Sequence, residues 1–67
     1  HTENRQGVAA CKTGLGRLMI KIGFVDDALR ELASAEQIYR NLGDNNRISE
    51  VEEVLQVANH IKERQPV

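Results

Sequence analysis

The sequence predicts an all-α protein: an antiparallel helical hairpin followed by a third helix that caps its end. Three observations carry this. Apolar residues recur at three- and four-residue spacing in three blocks and nowhere alternate as they would in a half-buried strand. Gly23 and Gly43 punctuate the blocks, each just past the last periodic residue, where a left-handed helix end favours glycine. Aromatic residues are 3% of the chain and the one proline is Pro66, a composition that suits helices better than a sandwich or barrel. With 67 residues the chain is one domain at most, burying about 60% of the surface its unfolded form exposes.

The first helix is expected over about 4–22, with Val8, Cys11, Leu15, Leu18, Met19 and Ile22 as its apolar face. A tight turn at 23–25 follows, and Asp26 and Asp27 place negative charge at the start of a second helix over about 25–42. Its stripe is Ala28, Leu32, Ala35, Tyr39 and Leu42, widened by Leu29 and Ile38. Asp44, Asn45 and Asn46 offer caps for a third helix over about 46–63, whose apolar face is Ile48, Val51, Val54, Leu55, Ala58 and Ile61. Glu52, Glu53, Gln56, Asn59 and Glu63 form its wet side, and the acidic start made by Glu50, Glu52 and Glu53 suits the helix dipole. Residues 64–67 are expected to fray.

Shifting the sequence by forty residues lays Val8 on Ile48, Cys11 on Val51, Leu15 on Leu55 and Leu18 on Ala58. The polar lead-ins Glu3-Asn4-Arg5-Gln6 and Gly43-Asp44-Asn45-Asn46 also superpose. The first and third helices are thus one element used twice, and a period of this size is the mark of a helical solenoid.

Composition narrows the function. A formal net charge of −1 and a pI near 6.1 lack the basic footprint of a nucleic-acid binder. No apolar run is long enough to span a bilayer, and the chain opens at His1 without an initiator Met. It is expected to be a cytoplasmic piece of a longer protein. Lys12-Thr13-Gly14-Leu15-Gly16-Arg17 fails as a phosphate loop, which needs Gly-Lys-Ser/Thr in order, and as a dinucleotide fingerprint, which needs a third Gly at Met19. Cys11 on an apolar face is a poor nucleophile, and His60 has no co-ligands at metal-site spacing. Neither catalysis, nor a metal, nor a cofactor is expected.

Leu15-Gly16-x2-Met19, then Gly23, then Ala28-x3-Leu32 and Ala35, resemble the tetratricopeptide repeat pattern Trp-x2-Leu-Gly-x2-Tyr, Ala-x3-Phe, Pro. The departures are Lys12 for Trp, Leu32 for Phe, and no Pro near Arg40. The second helix runs on in the manner of the longer, roughly forty-residue variant found in scaffold proteins. Residues 3–42 would be one full repeat and 43–63 half of another. The resemblance implies an interaction module whose helix contact is built on Leu15, Gly16, Ala28 and Ala35, with Gly16 lying against Ala28.

The resemblance also implies a concave groove for a protein or peptide partner, with Thr13 beside Glu53, Arg17 beside Val57, and Ile20 beside His60. Cys11 and Leu18 would stack on upstream repeats or on another chain. Two rivals share the fold class. One is a helical homodimer joined through Cys11 and Leu18. The other is a helix-turn-helix nucleic-acid binder, disfavoured by helices of about eighteen residues and by the glutamates of the third.

Overall fold

Each helix starts and stops where local chemistry demands it. A computed structural model describes residues 4–64, which form α1 (Arg5–Ile22), α2 (Val25–Leu42) and α3 (Asn45–Arg64). Asn4 caps α1 by accepting the Gly7 N–H on its side-chain oxygen at 2.9 Å, and Asp44 caps α3 by accepting the Arg47 N–H at 3.2 Å. Asn4 and Asp44 are forty residues apart, so the repeat extends to the capping hydrogen bonds. Gly23 and Gly43 end α1 and α2 at φ of 95° and 72°, a region that costs other residues dearly. Their N–H groups donate to Ile20 and Arg40, and those of Phe24 and Asp44 reach back to Met19 and Tyr39.

The expected helix bounds hold within a residue or two. Glu3, at the head of the first repeat, and the tail Gln65–Val67 lie outside the described residues. One expectation fails at the start of α3: its first turn contains no acidic residue. Glu50, Glu52 and Glu53 come later, and the first two make side-chain ion pairs instead, Glu50 with Arg47 at 3.1 Å and Glu52 with Arg40 at 3.2 Å.

The helices lie side by side in a slab 45 × 20 × 14 Å, with α2 in the middle. Both outer helices pack on α2 and scarcely touch each other. The core is Ala9 from α1, Val25, Ala28, Leu32, Ala35 and Tyr39 from α2, and Val51 and Ala58 from α3. Its alanines let the backbones approach closely, which suits a small core with few large side chains. Leu42, expected in the α2 stripe, is instead about half exposed at the helix end.

The face of α1 that meets α2 is not the apolar stripe. Ala9 and Gly16 are the fully covered positions of α1, with Met19 and Ile20 half-buried beside them. Leu15, expected in the helix contact, is 42% exposed. Gly16 meets Leu32 rather than Ala28: a methyl group built on it would lie 2.7 Å from Leu32 Cγ and 2.8 Å from Cδ2. Gly14 has no such neighbour, and its methyl group would meet no atom within 4 Å. Close approach therefore accounts for Gly16 and not for Gly14. Ala28 and Ala35 are fully buried as expected.

Candidate functional site

Two faces of α1 are open. The first is the shallow groove between α1 and α3. Arg17, Ile20 and Lys21 line an open recess of about 370 Å³ together with Glu53, Val54 and Val57. Arg17 and Val57 line the same recess, Arg17 also reaching the one with Glu50 and Val51, and Ile20 is half-buried with Val54 and Val57 across from it. His60 is not opposite Ile20 but lies further along, exposed, in a recess with Glu53, Gln56, Val57 and Ile61. Thr13 lies not beside Glu53 but in a recess with Arg47, Glu50 and Val51, floored by Tyr39. The helices are therefore offset by about one turn from the pairing that the forty-residue shift suggests. The shift matches equivalent positions, whereas the contact pairs whichever residues lie level once both helices have seated on α2.

The polar equipment of the groove is modest. The Thr13 hydroxyl donates to the Ala9 carbonyl at 2.8 Å, so its proton is committed within α1. Among the described residues neither Arg17 nor Lys21 has an ion-pair partner. The groove thus offers a small apolar floor, two cations on the α1 side and Glu53 on the α3 side. Among the described residues no three His, Cys, Asp or Glu side chains stand close enough to hold a metal ion. No helix among them is long and apolar enough to cross a membrane.

The second face points away from both α2 and α3. Val8, Cys11, Leu15, Leu18 and Ile22 follow one another at intervals of three, four, three and four residues, the spacing of a coiled-coil seam. All five are exposed, Leu18 at 53% and Ile22 at 59%. Cys11 lies in a recess with Val8, Lys12 and Leu15 that reaches Glu31 of α2, and Lys12 Nζ stands 3.4 Å from the Glu31 carboxylate. Cys11 and Leu18, expected to stack on upstream repeats or another chain, both lie on this exposed face.

The repeat gives this face its meaning. Its equivalents on α3 are Ile48, Val51, Leu55, Ala58 and Lys62, and the first four, with Val54 and Ile61, seat α3 on the core. Val51 is 1% exposed and Ala58 fully covered, while Cys11 and Leu18 stand open. The reverse also holds. Ala9, Gly16 and Ile20, which seat α1 on α2, correspond to Ser49, Gln56 and His60, all exposed. Each outer helix thus uses one of two faces of the same element. On α1 the apolar pattern does not separate the two, because Gly16 and Ala9 add little to it. The signal that could have separated them was the polar character of Ser49, Gln56 and His60 at the repeat-related positions.

Compared with protein-family models, with curated proteins and with solved structures, the chain matches none.

Proposed function

We propose that the chain is a non-catalytic protein–protein interaction module, one and a half repeats of a tetratricopeptide-like array in which α3 is the capping helix. The observation that carries this is the open seam of α1, whose first four equivalents on α3 are buried or partly buried against a neighbouring helix. A row of apolar side chains at helix-docking spacing costs solubility unless something covers it. The partner is a protein segment or upstream repeats, docking on the seam, while the α1–α3 groove with Thr13, Arg17, Ile20, Val57 and His60 is the place for an extended peptide. A thiol on a contact face suits a reducing compartment such as the cytoplasm.

Homodimerisation through the same seam is the second reading, favoured by the regular three-four spacing. A photo-crosslinking residue placed at position 18 in cells, with position 56 on the wet side of α3 as control, tests both. A discrete heterologous adduct at 18 and none at 56 is the expected result. Adducts only to a second copy of the chain favour the dimer, and equal yields at both positions end the docking proposal.

A further inference from the structure

We propose that the open seam of α1 receives an acidic amphipathic helix running antiparallel to α1, as α2 runs to α3. The inference rests on the interaction-module reading and adds the partner's form, direction and charge. Form and direction come from the molecule's own template. The equivalent face of α3 is covered by one antiparallel helix, α2, and the α1 seam repeats its spacing with a smaller side chain at Cys11, an equal one at Leu15 and a larger one at Leu18. Gly14, exposed in mid-helix beside the seam with open space above it, leaves room for a second backbone to come close.

Charge complementarity selects the occupant. Over its whole length α1 carries Arg5, Lys12, Arg17 and Lys21 and no carboxylate. Lys12, paired with Glu31 of α2 at 3.4 Å, and Lys21, which has no ion-pair partner among the described residues, flank the seam on opposite sides. A second copy of α1 would bring cations and no carboxylate of its own to the contact, leaving Lys21 without a counter-charge. The α2 of a second copy is no better. Its docking side is covered by its own α3, and Arg40, which there pairs with Glu52, would face Lys12, the repeat equivalent of Glu52. The strip between the lysines is apolar, so a helix with an apolar seam and acidic flanks fits it, and a polyanion without apolar groups does not.

Cys11 lies in the seam and is the chain's one thiol, so its alkylation by the uncharged reagent iodoacetamide reports coverage directly. Two synthetic helices serve as probes for the intact chain. One is the α2 sequence Val25–Leu42 with Arg40→Glu, and the other is the same peptide with Asp26, Asp27, Glu31 and Glu36 changed to Lys. The acidic peptide is expected to slow alkylation roughly tenfold at about ten times its dissociation constant, because only the uncovered face reacts. The protection should weaken as salt is raised and vanish in Leu18→Asp, whose exposed position leaves the melting curve unchanged. Equal protection by both peptides would overturn the acidic partner while leaving docking on the seam intact. Protection that grows with the chain's own concentration, without peptide, would overturn it in favour of a second copy. Absence of protection at millimolar acidic peptide would overturn it outright, and the crosslink at position 18 would then decide separately whether the seam docks anything.

Discussion

α1 and α3 are built from the same sequence element and sit on the same central helix, yet they present opposite faces to it. α3 uses Val51 and Ala58 and leaves Gln56 and His60 wet. α1 uses Ala9 and Gly16 and leaves Cys11 and Leu18 open. The outer side of α3 is polar, whereas the open side of α1 is apolar. A repeat element therefore carries two docking faces. Which one is satisfied within the chain depends on whether its α2-type neighbour comes after it or before it.

A carboxylate placed at equivalent positions of the two helices should separate them most. Val51→Asp should unfold the isolated chain, because an unpaired buried charge costs several kcal/mol against a small core. Cys11→Asp should move the urea midpoint by no more than about 0.5 kcal/mol equivalent. Similar losses would mean that Cys11 is buried in solution, and the two-face account would fall.

A smaller effect separates two glycines on α1. Gly16→Ala presses a methyl group onto the body of Leu32 and should cost about 1–3 kcal/mol. Gly14→Ala meets nothing and should stabilise the helix by roughly 0.5–1 kcal/mol. Thermal melts of both variants check the pair, and a gain from Gly16→Ala would show that α1 and α2 are not in close contact there.

The capping bonds test the part of the comparison in which α1 and α3 agree. Asn4→Ala and Asp44→Ala should each cost about 1 kcal/mol, since each removes one acceptor at the same place in the repeat. Loss at one site alone in denaturant titrations would show that the repeat does not reach the caps.

The smallest effect concerns the ion pair that ties the start of α2 to the end of α3, Lys62 Nζ to Asp26 Oδ1 at 2.8 Å. The hydrogen bond from Lys62, aided by its charge, holds the Asp26 carboxyl below its ordinary value. A lowered folded-state pKa gives stability that is present above the unfolded value and lost as pH falls through the folded one. Asp26→Asn should therefore melt slightly below the unaltered chain near pH 7, with the gap closing below about pH 4. Both groups are largely exposed, so the gap is small and salt should shrink it. A gap that persists at acid pH would assign it to something other than this pair.

The helix boundaries are legible in the order of residues because local chemistry controls them. Gly23 and Gly43 stop helices because a left-handed residue is needed there, and Asn4 and Asp44 start them because a side-chain oxygen can take an orphan N–H. The forty-residue period and the polar outer side of α3 were equally legible, since both lie in the order of residue types. Which face of α1 turns inward is instead a matter of packing against α2. Hydrophobicity along a helix measures how much a face gains from leaving water, and on α1 it favoured the seam of Leu15 and Leu18. Contact with α2 went instead to Ala9 and Gly16, because two helices joined by a tight turn pack where their backbones can approach most closely. The level at which Thr13, Arg17 and Ile20 meet α3 was likewise settled by α2, against which both outer helices seat independently. Spacing within one helix cannot encode the height of another.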